Sequence, residues 1–283
     1  MNLETFINEA IAEDIGAGDF TSLSVFDAKQ EGKAYLLCKE KGIIAGVDVA
    51  KKILQQIDNE LHITIIIEDG TPVKVGDVVL SIAGSIQSIL KAERLMLNVM
   101  QRMSGIATYT HHLCTLIAHT SARLLDTRKT TPNMRLLEKM AVQIGGGYNH
   151  RMGLYDMILL KDNHIDFAGG LKNAIESVHR YLKNKNLNLP IEVETRSLAD
   201  VQKVLQIGGI ERIMFDNFSV EDTYKAVEMN NHRFETETSG NISEKNIVDY
   251  AQTGVDFISV GALTHSVKSL DMSLLAEISR SKI

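Results

Sequence analysis

Proline is scarce in this 283-residue chain, with only Pro72, Pro132 and Pro190. No low-complexity tract accompanies them, so long disordered linkers are not expected. Cysteine is scarcer still. Cys38 and Cys114 stand far apart with no Cys-x-x-Cys or Cys/His spacing for zinc, and read as two buried thiols, not a disulfide. No apolar run approaches the ~20 residues that span a bilayer. The opening residues, with Asn2, Glu4 and Glu9, have neither the basic start nor the apolar core of a signal peptide. Positive charge is in the minority: the formal net charge is −6, which argues against general affinity for nucleic acid or membranes. The expectation is a cytoplasmic globular protein, in which the sequons at Asn217 and Asn241 go unused. Its length suits one large α/β domain, or a barrel with a smaller partner.

Six times in the second half, an apolar run stops on charged or hydrogen-bonding residues. Leu124-Leu125 runs into Asp126-Thr127-Arg128-Lys129, and Met157 to Leu160 into Lys161-Asp162-Asn163-His164. Ile191-Glu192-Val193-Glu194 follows, then Ile213-Met214-Phe215 into Asp216-Asn217. Phe234 to Glu237 leads into Thr238-Ser239-Gly240, and Phe257 to Val260 into Gly261-Ala262. Buried strands whose C-terminal ends carry ligand-binding groups leave this rhythm, and it predicts an α/β barrel. The later units return every ~22 residues, while the first two gaps leave room for an extra loop or lid. Six units instead of eight predict an open, TIM-like barrel over residues 119–269.

Residues 1–118 lack that rhythm. They mix a helix over Leu3–Ile15, strands near Lys33–Lys39 and His62–Glu68, and a helix over Ala45–Ile57. This predicts a separate N-terminal α+β sandwich domain. Ile86 to Ala118 reads as a helix with Ile86, Ile89, Leu90, Leu97 and Met100 on one face. Glu93 falls in that stripe and Arg94 at its edge; on the residues alone, an intrachain ion pair is preferred over a ligand role. The tail 270–283 reads as a helix packing on the first domain.

At the strand ends, adjacent Arg128 and Lys129 repel each other unless an anion neutralises both. Gly145-Gly146-Gly147 precedes His150-Arg151, and glycines let a backbone approach a ligand or fold over it. With Lys161 and Arg94, these cations suit a small polycarboxylate plus phosphate, since guanidinium groups orient carboxylates in a bidentate way. Glu194 and Asp216 suit ribose hydroxyls, a developing sugar cation or hydrated Mg²⁺; salt bridges to the same cations are the competing reading. Ser239-Gly240-Asn241 and Ser259-Val260-Gly261 are small-residue turns after late strands, where barrels often bind phosphate. His111, His112 and His119 lie outside the pattern and read as surface or packing residues.

These motifs closely resemble the quinolinate phosphoribosyltransferases. The likeness also takes in Glu13-Asp14-Ile15-Gly16, Ala92-Glu93-Arg94, Ser104-Gly105-Ile106-Ala107-Thr108 and Ser259 to His265, and so covers nearly the whole chain. It implies that quinolinate and phosphoribosyl pyrophosphate, with Mg²⁺, give nicotinate mononucleotide, pyrophosphate and CO₂. It implies a head-to-tail homodimer, with assembly to a hexamer left open, in which Arg94 reaches the neighbouring site; this reverses the ion-pair preference. It matches Arg128, His150, Arg151 and Lys161 to the quinolinate cradle. Thr127, Lys129, Ser239, Gly240, Asn241, Ser259, Val260 and Gly261 fall on the phosphoribosyl pyrophosphate side, with Lys129, Glu194 and Asp216 as catalytic groups. Glu194 and Asp216 would meet the metal directly or through water.

Three rivals stand beside this reading. One is a phosphoribosyltransferase acting on nicotinate without decarboxylation. Another is an aldolase-like barrel with a Schiff base on Lys129 or Lys161. The third is a non-catalytic sensor of phosphorylated metabolites.

Overall fold

A computed structural model describes residues 2–277. Along the chain run α1 (Leu3–Ile15), α2 (Phe20–Val25), β1 (Glu31–Cys38), β2 (Gly42–Ile43), α3 (Val47–Ile57), β3 (His62–Ile65), β4 (Pro72–Val73) and β5 (Val78–Ser85). The long α4 (Ile86–Ile117) leads to β6 (Arg123–Leu125), α5 (Arg135–Ile144), β7 (Ile158–Leu160), α6 (Asp162–Phe167) and α7 (Leu171–Lys185). Then come β8 (Ile191–Thr195), α8 (Leu198–Ile207), β9 (Arg212–Asp216), α9 (Val220–Asn230) and β10 (Glu235–Ser239). Last are α10 (Ile247–Ala251), β11 (Phe257–Ser259), α11 (Ala262–His265) and β12 (Met272–Ala276).

The chain divides into two compact units. The first takes the residues up to His111, Thr130–Gly146, and those from Ser266 on. Its main sheet is antiparallel, in the order β12-β1-β5-β3. Inward positions alternate along β1, where Ala34, Leu36 and Cys38 are buried, as the two-residue period of a half-covered strand demands. They share a core with Leu80 and Ile82 of β5, Ala50 and Leu54 of α3, and Met96 and Met100 of α4. Among the described residues the expected tail helix is absent. Met272–Ala276 is a strand paired antiparallel with β1, from Ala34↔Ala276 to Cys38↔Met272, and residues 278–283 of that expectation lie outside the described residues. The free ladder groups of the β1 edge outweigh the local helix preference of that stretch.

A second departure concerns Thr130–Gly146, read from the sequence as barrel but grouped with the first unit. Leu137, Ala141 and Val142 of α5 are buried. The fully buried Glu138 receives Arg102 of α4, with Nη2 at 2.8 Å and Nε at 3.1 Å from Oε1. A carboxylate without exposure needs such a partner, and it holds α5 to that helix.

The second unit, His112–Lys129 with Gly147–His265, holds six parallel strands in the order β6-β11-β10-β9-β8-β7. β8 and β11 are buried along their whole length, as strands covered on both faces must be. Helices α7, α8 and α9 fill the crossovers. Ser197 and Ser219 cap α8 and α9 by accepting the Asp200 and Asp222 N–H groups at 3.2 and 3.0 Å. β6 and β7 are the two ends of the order and do not pair. Instead Tyr148 extends the β6 edge, its N–H donating to Leu124 O at 2.8 Å and its O accepting from Asp126 N at 3.1 Å. The barrel is therefore open, and all six C-terminal ends face one way.

Candidate active site

A cavity of about 800 Å³ opens at those C-terminal ends. Each wall can be traced to one strand. After β6, Thr127 Oγ1 accepts the Lys129 N–H at 3.0 Å, and this tight turn leaves Arg128 and Lys129 exposed along the cavity. Gly261, beyond β11, makes room for one of them: a Cβ there would come within 3.0 Å of Lys129 Cδ. Thr264 Oγ1 holds the Lys129 carbonyl at 2.8 Å.

Arg151 is 9% exposed, and its Nη1 donates to Met157 O at 3.2 Å. Burial first, and the neighbouring Arg128 charge second, lower its pKa. Two guanidinium groups so placed favour an anion that can accept from both.

Lys161 ends β7 with Nζ 3.2 Å from Glu194 Oε2, at the end of β8. The competing salt-bridge reading thus holds for this pair. Asp216, closing β9, accepts Ser239 Oγ at 2.9 Å and Asn217 Nδ2 at 2.7 Å, which fixes its carboxylate by two donors. Gly240 must lack a side chain: φ is 95°, and a Cβ would run into the Asn217 carboxamide. Asn241 Nδ2 completes the link by donating to Asn217 Oδ1 at 3.1 Å.

Beneath these groups lies a buried cluster that sequence reasoning missed. His150 Nε2 is 2.9 Å from Glu192 Oε2 and 3.5 Å from Glu237 Oε2. Both carboxylates have no exposure. Arg212 Nη1 pairs with Glu237 Oε2 at 2.9 Å, and Ser259 Oγ donates to its other oxygen. Burial pushes both carboxyls up to about 7; each Glu also faces the charge of Arg212, which opposes that rise. The signal was present in outline. Glu192 and Glu194, like Glu235 and Glu237, sit two apart in strands, so each pair points to one face.

Thr127, Arg128, Lys129, His150, Arg151, Lys161, Glu194, Asp216, Ser239, Gly240, Asn241, Ser259 and Gly261 all line the cavity. Two expected residues do not. Val260 is 1% exposed and its N–H donates to Leu125 O at 3.0 Å, so its amide serves the strand ladder and not a phosphate. Arg94 is exposed on α4 in the first unit and is not among the residues that line the cavity. Nor do the three glycines line it. Gly145 ends α5 with its amide bonded to Ala141 O at 3.0 Å, and a Cβ there would lie 2.5 Å from Ala107 O and 2.7 Å from Thr110 Cβ. That glycine is demanded by close packing on α4. Arg196, whose role the sequence leaves open, forms a bidentate pair with Asp166 at 2.7 and 3.0 Å.

An open α/β barrel with cations on its edge-strand ends, carboxylates on its middle strands and small residues on two later turns is built as a transferase-type site for anionic substrates. Two family models together cover nearly the whole chain: the quinolinate phosphoribosyl transferase N-terminal domain matches residues 19–104, and the C-terminal domain residues 106–275. The chain belongs to the quinolinate phosphoribosyltransferase family. It is 46% identical to the chloroplastic nicotinate-nucleotide pyrophosphorylase [carboxylating] of Arabidopsis thaliana, over 96% of this chain and 82% of that protein. The solved nicotinate-nucleotide pyrophosphorylase of Francisella tularensis superposes with a TM-score of 0.91 at 39% identity, over 97% and 96% of the two chains. Human nicotinic acid phosphoribosyltransferase shares the fold alone, with a TM-score of 0.65 at 13% identity, over 98% of this chain and 74% of that one.

Proposed function

We propose that this protein transfers the phosphoribosyl group of phosphoribosyl pyrophosphate to quinolinate, releasing pyrophosphate and CO₂ and leaving nicotinate mononucleotide. One observation carries the reading: the cavity sorts its charges by strand. Arg128 and Arg151, with Lys161, give a diacid several positive partners, where a monocarboxylate such as nicotinate would leave cations unmatched. Glu194 and Asp216 occupy neighbouring strand ends, beside the turns that suit phosphate.

The chemistry follows from this sorting. Positive side chains hold the pyridine diacid with its ring nitrogen toward C1 of the ribose. As the C1–O bond to pyrophosphate breaks, positive charge grows on the sugar, and Glu194 and Asp216 stabilise it electrostatically. Lys129 takes up negative charge on the departing pyrophosphate. The new C1–N bond makes the ring nitrogen cationic, so the electron pair left at C2 when CO₂ departs is stabilised by the adjacent charge. A proton then replaces the lost carboxylate. The protein acts by orientation and charge, without a covalent intermediate.

Magnesium fits the donor set: two hard carboxylates on adjacent strand ends, short of a full protein cage, match an ion shared with substrate phosphates. When bound, Mg²⁺ supplies charge neutralisation to the pyrophosphate, and Glu194 and Asp216 would hold it directly or through water. We assign Arg94 to the neighbouring site of a homodimer, a reading supported by its exposure on α4.

Purified protein with quinolinate, phosphoribosyl pyrophosphate and Mg²⁺ tests the proposal. One CO₂ and one nicotinate mononucleotide per pyrophosphate are expected, with nicotinate a poor substitute. Turnover of nicotinate with no CO₂ from quinolinate would select the sister activity instead.

A further inference from the structure

We propose that Asn217 is a positioning residue whose carboxamide ties the Asp216 carboxylate to the small-residue turn 239–241. The groups that meet the sugar and those that meet its phosphates are thereby held as one unit. The inference rests on the function just proposed, and it brings in a cavity residue outside the set expected to form the site.

The Asn217 backbone already calls for a reason. Its φ is 56°, a left-handed conformation that is unfavourable for most residues and mildest for glycine and asparagine. Asn186 and Asn231 adopt it too, as the C-caps of α7 and α9. Asn217 and Asn241, the latter with φ 52°, instead follow strands β9 and β10 at the cavity. Left-handed residues kept away from helix ends point to a site that needs them. The chain around Asn217 is also firmly held. Phe215 and Phe218 are buried with ring centroids 5.4 Å apart, and the Tyr250 hydroxyl donates to Phe218 O at 2.8 Å.

The orientation of the carboxamide follows from its neighbour. A carboxylate only accepts, so the Asn217 atom 2.7 Å from Asp216 Oδ2 must be Nδ2. Oδ1 is then left to accept, and Asn241 Nδ2 donates to it at 3.1 Å. Ser239 Oγ donates to Asp216 Oδ1 at 2.9 Å, while the Asn217 N–H donates to Ser239 O at 2.9 Å. Asn217 thus holds both ends of the turn, by its amide at Ser239 and by its carboxamide at Asn241. Gly240 lies between them against that carboxamide, admitted by its missing Cβ and a φ of 95°. The far end is anchored as well. Asn246 Nδ2 donates to Asn241 O at 3.2 Å, and Asn246 Oδ1 accepts the Ser243 N–H at 2.8 Å.

Asparagine meets these demands together. Aspartate tolerates the backbone but sets a second negative charge against Asp216. Glutamine carries the carboxamide one methylene too far, and glycine keeps the backbone but loses the link. With one donor on each oxygen, Asp216 keeps acceptor capacity on both for a ribose hydroxyl or a hydrated cation.

Glycine is therefore the cleanest test, since it suits the left-handed backbone and deletes only the carboxamide. In Asn217→Gly, KM for phosphoribosyl pyrophosphate should rise about 10- to 100-fold, the worth of a charge-assisted hydrogen bond. KM for quinolinate should stay within about threefold, and Tm within about 4 °C of the unmodified protein. Unchanged KM for phosphoribosyl pyrophosphate, or equal rises for both substrates, would sink the positioning role. Asn217→Gly/Asn241→Gly should lose less than the product of the two single losses, because both cut one link. Losses that multiply would show that Asn217 does not act through the turn. Should Asn217→Gly fail to fold, Asn217→Asp takes its place with the same split between substrates expected.

Crystal structures separate this proposal from the function it rests on. Asn217→Gly should show the Asp216 carboxylate turned or divided between orientations, with the 240–241 turn displaced. Finding both unmoved would overturn the positioning role whatever the reaction. Absence of product from the unmodified protein would instead reject the function, and the crystal comparison would still decide the link.

Discussion

Replacing Arg212 by Met tests the buried cluster most directly. The side chain of Arg212 is 11% exposed and Glu237 is not exposed at all, so the substitution strands a carboxylate in the barrel interior. Breaking a buried pair from one side costs about 3–5 kcal/mol. The stack over Phe257 adds about 1 kcal/mol, and the half-exposed Glu235 contact adds about 0–1 kcal/mol. For a protein of this size, such a loss lowers Tm by about 6–15 °C.

The effect carries a pH signature. An unfolded Glu237 gives up its proton near the ordinary 4.5, whereas the folded one keeps it to about 7. Between those values the folded state binds more protons, so this group's contribution to stability falls as pH rises. Without Arg212 the folded pKa climbs further and the window extends upward, which makes Arg212→Met far more damaging at pH 8.5 than at pH 5.5. Urea and thermal unfolding followed by far-ultraviolet circular dichroism measure this, since the chain has no tryptophan to report by fluorescence. Arg212→Met/Glu237→Gln should recover much of the loss, because no charge is then left uncompensated. A cost under about 1 kcal/mol at both pH values, or a double variant no more stable than Arg212→Met, would refute the reasoning.

Arg128→Ala should raise KM for quinolinate about 10- to 100-fold, the value of a charge-assisted hydrogen bond, with KM for phosphoribosyl pyrophosphate far less affected in initial-rate assays. Gly145→Ala should cost about 1–3 kcal/mol in chemical denaturation, because the added methyl meets Ala107 and Thr110. Gly146→Ala meets open space and should cost only the about 1 kcal/mol of a left-handed backbone. Burial pushes the Cys38 and Cys114 thiols up to about 11. Alkylation of the native protein at pH 8 should therefore run about 100-fold slower than for an ordinary thiol, quickening about tenfold per pH unit. Fast labelling of either at pH 8 would contradict its burial.

The parallel strands were legible because each needs an uninterrupted apolar run and a polar stop, and Met157 to Lys161 or Ile213 to Asp216 can serve little else. The cavity residues were legible for the same reason, since the stop falls at the strand's C-terminal end. The His150 cluster was not. It depends on cross-strand register, Glu192 opposite Arg212 and Glu237 opposite Met214, and no local pattern states which strands adjoin. β12 was misread because Met-Ser-Leu-Leu-Ala suits a helix when alone, and only the waiting edge of β1 makes it a strand. The triple glycine invited a ligand role; the atoms that require Gly145 lie nearly forty residues back, on α4.

Because β12 supplies an outer rung of the first sheet, the barrel is an insertion in the sequence of the first unit. Synthesis delivers β1 more than two hundred residues before its partner. Until Met272–Ala276 leaves the ribosome, the earlier-made strands present a bare rim to any passing chain. Removing those last strand residues should therefore yield a protein that clumps during production, even though the barrel's own sequence is complete.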